Sequence, residues 1–208
     1  HLIQNLNYGG MERVLHSLAR ELPGRGFEIH VVVLEYYGRF AEGLGTTATL
    51  HQVPPMSRLS LLRPGRLITM LRALAPDIVH THSGLWLKGV RAARMAGVPV
   101  VVHTEHGRPD PVPFLNRVID NRASRLTDAV ISVSDALRDI LRNQVVHDPA
   151  RLRVIVNGVD TTRLRPHTPP SPIRAQLGVP HEAPVIGSVG RLEPIKNYAL
   201  AIRALAAL

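Results

Sequence analysis

The 208-residue sequence contains no cysteine, which excludes disulfides and thiolate metal sites and leaves redox chemistry silent about compartment. Aromatic residues make up only 4%, too few for a base-stacking platform. Lysine occurs twice, at 88 and 196, so arginine carries almost all of the net charge of +9. The arginines are scattered, with no Lys/Arg cluster, and this argues against specific nucleic-acid binding. No apolar run approaches the ~20 residues that a membrane-spanning helix needs. At His1 there is neither an initiator Met nor a charged leader, and residues 199–208 stop inside a helical pattern. Both ends read as cut, and the expectation is a fragment of a longer protein.

Hydrophobic residues reach 45%, enough to build a core. The chain is organised around Val185-Ile186-Gly187-Ser188-Val189-Gly190-Arg191-Leu192-Glu193-Pro194-Ile195-Lys196. The Val/Ile/Gly run predicts a short buried strand, and the Ala/Leu-rich segment after Lys196 predicts a helix. Arg191 and Lys196 then lie in a strand-to-helix loop, where free N–H groups and the helix dipole favour an anion such as a diphosphate. Spacing alone serves a loop of ordinary solvated charges equally well.

Upstream, a strand-like 1–6 leads through Asn7-Tyr8-Gly9-Gly10 into residues 11–22, whose apolar positions 11, 14, 15, 18, 19 and 22 form a helical stripe. No G-x-G-x-x-G is present, so the dinucleotide fingerprint is absent. Strands are predicted at 28–34, 50–53, 76–83, 98–107, 129–133 and 152–156, and helices at 64–74, 85–96, 113–126 and 136–143. Residues 35–49 carry few regular signals. Strand and helix alternate, which predicts a mostly parallel sheet covered on both faces. His80 and His82 share a strand face and line the crevice at its carboxyl end. No third ligand lies near them in sequence, so metal ligation is not expected. Ser134 is either a helix N-cap or a residue facing the crevice. Residues 161–184, rich in Pro and Thr, have a linker composition.

Several of these stretches resemble, in order, elements of the retaining glycosyltransferases of family 4, which have the two-domain GT-B architecture. Gly9-Gly10-Met11-Glu12-Arg13 is similar to G-G-x-E-R, residues 76–82 to P-D-[IV]-[VI]-H-x-H, and residues 99–107 to P-[VI]-V-x-T-x-H-G. A Ser-x-Ser precedes 136–143, Asn157-Gly158-Val159-Asp160 matches N-G-[VI]-D, and residues 190–197 match G-R-L-x-x-x-K-G with Asn197 in place of Gly. The resemblance implies an α/β fold: an N-terminal Rossmann-like, acceptor-side domain over 1–160 with its first strand truncated. A linker at 161–184 and the truncated start of a nucleotide-sugar-binding domain at 185–208 would follow. It implies transfer of a sugar with retention from a nucleotide-sugar co-substrate to a glycan, lipid-linked or small-molecule acceptor, usually without a metal or other cofactor.

By the same resemblance Arg191 and Lys196 bind the diphosphate and His106 contacts the transferred sugar, while Gly9 and Gly10 lie against phosphates or acceptor. His80, His82 and Ser134 line the substrate site. The paired glutamates of the family, in an E-x7-E pattern, do not occur before Leu208, so the 208-residue piece is expected to be inactive alone. The implied setting is polysaccharide biosynthesis in the cytoplasm, and the positive charge is compatible with peripheral association at the inner face of the membrane. The competing readings are a non-catalytic Rossmann-like module for phosphorylated or anionic ligands, and a GT-B sugar epimerase or phosphorylase.

Overall fold

The computed structural model describes residues 1–54, 60, 63–166, 172–180, 182–190 and 192–206, and divides into two compact units, His1–Val159 and Asp160–Leu208. The first unit contains strands β1 (Leu2–Asn5), β2 (His30–Tyr36), β3 (Thr49–Gln52), β4 (Ile78–His82), β5 (Val100–Glu105), β6 (Ala129–Ser132) and β7 (Leu152–Val154). Its helices are α1 (Gly10–Glu21), α2 (Ala41–Leu44), α3 (Gly65–Leu74), α4 (Trp86–Ala96), α5 (Phe114–Arg125) and α6 (Asp135–Gln144). The strands form one sheet in the order β3-β2-β1-β4-β5-β6-β7, and every pairing is parallel. The order reverses between β1 and β4, and open sheets of this kind bind ligands beyond the carboxyl ends of the strands flanking such a point.

Strand alternation explains how both faces are covered. Leu2, Val32, Leu34 and Val79 enter one apolar cluster with Leu67 and Leu71 of α3 and Val90 and Ala93 of α4. Their sequence neighbours Ile3, Val31 and Val33 enter a second cluster with Leu15 and Ala19 of α1. A period of two thus splits consecutive residues between two cores, which is why these strands read as continuous apolar runs. Residues 41–44, where the sequence gives few regular signals, form α2, a helix too short for periodicity that is held because Ala41 and Leu44 bury in the second cluster.

Helix α4 approaches the sheet closely at Gly89. A Cβ there would lie 2.5 Å from Thr81 Cγ2 and 3.2 Å from Leu2 Cδ1. Gly89→Ala is therefore expected to push α4 off the sheet and to destabilise the fold by roughly 1–3 kcal/mol, the usual range for overpacking. Urea denaturation reads this; an unchanged midpoint would contradict the close contact. At the other end of α4, Gly97 adopts φ +85°, the left-handed conformation of a C-terminal cap. Asp128 fastens β6 to β5, because its carboxylate accepts from Val101 N at 2.7 Å while its own N–H donates to Val101 O at 2.8 Å.

The second unit carries α7 (Ile173–Gln176) and α8 (Tyr198–Leu205). The strand expected at 185–189 is a correction: the segment is irregular and exposed, with Ile186 at 74% and Val189 fully exposed. An extended segment becomes a strand only beside another that accepts its hydrogen bonds, and the described residues of this unit include no strand.

Candidate functional site

The carboxyl ends of β4 and β5 carry most of the chemistry. Their register sets His80 beside Val102 and His82 beside Thr104. His80 and His82 share a face, as the period of two requires, with ring centroids 4.5 Å apart. In β1, Leu2 pairs with Thr81, so the preceding His1 falls on that same face, 5.0 Å from the His80 ring and 5.5 Å from the His82 ring. A chain of contacts links them: His1 Nδ1 to His82 Nε2 at 3.2 Å, His82 Nδ1 to His106 Nε2 at 3.0 Å, and His80 Nε2 to Thr104 Oγ1 at 2.7 Å. Burial pushes His80 down to about 3 and His82 well below its ordinary value, so both rings are neutral. Burial lowers His106 as well, and its Nδ1 is buried without a partner among the described residues. His103 points to the opposite face, against Thr81 Oγ1 at 2.8 Å and stacked on Trp86 with centroids 4.0 Å apart.

Glu105, which the sequence did not single out, organises the tip of β5. Its Oε1 accepts from the Ser83 hydroxyl and from the backbone N–H groups of His106 (3.1 Å) and Gly107 (3.4 Å). Its Oε2 accepts from Arg108, both from Nε at 3.1 Å and from Nη2, while Arg108 Nη1 donates to Asp120 at 2.6 Å. The Ser83 hydroxyl also accepts from His106 N at 2.8 Å. Glu105 thus fixes the backbone that carries His106. The available signal was an acidic residue closing an apolar strand, a place where a charge persists only with partners.

Burial by itself would raise the Glu105 carboxyl, but the neighbouring His103 and Arg108 and the Ser83 hydroxyl outweigh it and bring it from an ordinary 4.5 to about 2. A depressed folded-state value stabilises above 4.5, and that contribution is lost as pH falls toward 2. The melting temperature is therefore expected to drop across that acid window, and Glu105→Gln to flatten this part of the profile. An unchanged acid profile in that variant would show that another group governs it.

Beside this hub lies a cavity of about 590 Å³, bounded by Ser83, Lys88, Glu105, Arg108, Asn116 and Asp120 among others. It sits where the loop after β4, the start of α4 and the loop after β5 meet. Its lining is mixed: Leu85, Trp86, Leu87 and Val112 stand beside two cations, Lys88 and Arg108, and two carboxylates, Glu105 and Asp120.

The remaining predicted residues are placed as follows. Gly9 is the extended N-cap of α1, and the Glu12 carboxylate folds against it so closely that a Cβ there would have to displace that side chain. Gly10 has open space where a side chain would stand, so its backbone is approachable. Ser134 caps α6, its Oγ accepting from Leu137 N at 3.2 Å. Lys196 is exposed at the end of a 3-10 turn over Pro194–Lys196. Asn197 follows at φ +47° and caps α8 through Leu200 N, meeting the left-handed requirement that the family pattern meets with Gly. Gly190 lies beside these groups, since a Cβ there would be 2.5 Å from Tyr198 Oη and 3.8 Å from Lys196 Cε. Arg191 lies outside the described residues. Within the first unit the structure brings His80, His82 and His106 together and adds His1, which sequence distance had hidden.

Residues 8–163 match the family model of Glycosyltransferase Family 4. The UDP-Gal:alpha-D-GlcNAc-diphosphoundecaprenol alpha-1,3-galactosyltransferase of Escherichia coli is 31% identical over 201 residues, covering 90% of this chain and 52% of that enzyme. The D-inositol 3-phosphate glycosyltransferase of Kineococcus radiotolerans is 34% identical over 231 residues, covering 96% of this chain and 52% of that one. The crystal structure of Anabaena HepE in complex with UDP-glucose is similar with a TM-score of 0.78 and 26% identity, over 99% of this chain and 56% of that one. The chain spans about half the length of the curated relatives it matches. No helix among the described residues is long and apolar enough to cross a membrane. With its seven-stranded parallel sheet of the GT-B kind, the chain belongs to glycosyltransferase family 4.

Proposed function

We propose that the protein carrying this chain transfers a sugar from a nucleoside-diphosphate donor to a phosphate-bearing acceptor, with retention of anomeric configuration. The observation that carries this reading is the match of residues 8–163 to the family, in the unit whose strand ends form the cavity. As the glycosidic bond breaks, negative charge grows on the departing diphosphate and positive charge on the sugar ring. The ammonium of Lys196, with Arg191 five residues earlier in the same loop sequence, stabilises that leaving group as it forms. His106 orients the sugar, its ring held by His82 and its backbone by Glu105 and Ser83.

The acceptor lies in the cavity, where Lys88 faces its phosphate and Asn116 and Ser83 meet its hydroxyls. Two relatives support a phosphate-bearing acceptor, since one is named for a diphosphoundecaprenol acceptor and another for D-inositol 3-phosphate. A lipid-linked acceptor would place the work at the inner face of the membrane. The test is product analysis of the whole open reading frame's product with a panel of nucleotide sugars, with and without phosphorylated acceptors. Transfer that requires both an acceptor and a nucleotide sugar is expected. Conversion of the nucleotide sugar with no acceptor would instead mark an epimerase, and binding without turnover a non-catalytic module.

A further inference from the structure

A parallel sheet covered on both faces is built from apolar strands, and here Ile3, Val31 and Val33 show what its α1-side face holds elsewhere. Just before β1 and along β4 that face carries imidazoles instead. His1, His80 and His82 each offer a ring nitrogen, all within 4.8 Å of one another. From this geometry we propose that His1, His80 and His82 bind a divalent first-row transition ion of the zinc type.

One pair of these nitrogens already stands at the spacing such an ion requires, and the third lies within 4.8 Å of both. Zinc holds imidazole nitrogens at about 2.0–2.1 Å in tetrahedral array, which sets neighbouring nitrogens roughly 3.3 Å apart. His1 Nδ1 and His82 Nε2 are 3.2 Å apart. A histidine that ligates a metal is normally fixed through its other nitrogen by an outer partner. That pattern is present twice: His82 Nδ1 meets His106 Nε2 at 3.0 Å, and His80 Nε2 meets Thr104 Oγ1 at 2.7 Å. His80 Nδ1 and His82 Nε2 are thereby left as the coordinating atoms. Imidazoles without thiolates or carboxylates suit zinc, nickel or copper and not magnesium or calcium.

The ion ties β1 to β4 at the strand ends where the sheet order reverses. It also sets a tautomer. With His82 Nε2 on the metal, His82 Nδ1–H donates to His106 Nε2, and His106 carries its own proton on Nδ1. The orphaned Nδ1 of His106 becomes a donor of fixed direction. This role is structural and separate from charge neutralisation at the donor diphosphate, so the proposal stands whether or not sugar transfer is found.

The product of the whole open reading frame, stripped with a chelator and dialysed, is titrated with Co²⁺ and followed by visible absorption. One equivalent is expected to give the intense bands of four- or five-coordinate cobalt, bleached by one equivalent of Zn²⁺. Thr104→Val is expected to weaken binding ~10–100-fold through the outer shell, and His1→Ala and His82→Ala by more. His147→Ala, away from the cluster, is expected to bind as the parent does. His1 is only half-buried, so His1→Ala carries the test if His82→Ala does not fold. Absence of the cobalt bands, or equal affinity in His1→Ala, would overturn the site and leave a hydrogen-bonded set of neutral imidazoles.

Discussion

Lys196→Ala is expected to lower the turnover of the whole open reading frame's product by roughly 10²-fold or more, the range for a lost transition-state donor. The side chain ends a 3-10 turn, is exposed, and has no pairing partner among the described residues. Removing it leaves no buried charge behind, so folding should be unaffected and the loss should fall on kcat/KM. Lys196→Arg keeps the charge but not the compact, freely rotating ammonium, and should recover only part of the rate. Single-turnover kinetics with a nucleotide sugar reads both variants. Unimpaired turnover in Lys196→Ala would remove that residue from the mechanism.

The second large effect is on folding. Arg108 lies between Glu105 and Asp120 with its side chain 10% exposed, against 3% and 15% for the carboxylates. Arg108→Ala strands two buried anions, and breaking a buried ion pair from one side typically costs about 3–5 kcal/mol. Without the guanidinium the Glu105 carboxyl should titrate higher, so acid unfolding should begin at a higher pH than in the parent. The compensated variant Arg108→Met/Glu105→Gln/Asp120→Asn removes the charges together and should regain most of the stability. Denaturant titration of the three proteins decides this. A loss in Arg108→Ala no greater than that of an ordinary surface substitution would show that the triad does not hold the β5 tip.

What was legible in the sequence followed chemistry that is local along the chain. Apart from α2, the strands and helices of the first unit carry their own periodicity, and the glycine at 97 announced its left-handed cap. Asn197 was readable for the same reason, because few residues other than glycine accept φ +47°. Ser134 was left between two roles, and its capping of α6, where its Oγ accepts from Leu137 N, settles only the structural one. What stayed hidden depends on residues far apart in the chain. His1 and His82 are separated by 81 positions, and only the pairing of β1 with β4 brings them into contact. Glu105 has three of its partners within three residues, yet Ser83 and Asp120 reach it, directly or through Arg108, from other elements. The 185–189 segment failed as a strand because a β-strand is a property of a pair.

The central claim is that the loop at Lys196 grips the phosphates of a nucleotide sugar. Calorimetric titration of the whole open reading frame's product with nucleoside diphosphates tests it most directly. At least one diphosphate is expected to bind, and Lys196→Ala to bind it roughly 10–100-fold more weakly, as loss of a hydrogen bond from a charged group predicts. Equal affinity in parent and Lys196→Ala, for every diphosphate that binds, would contradict the claim.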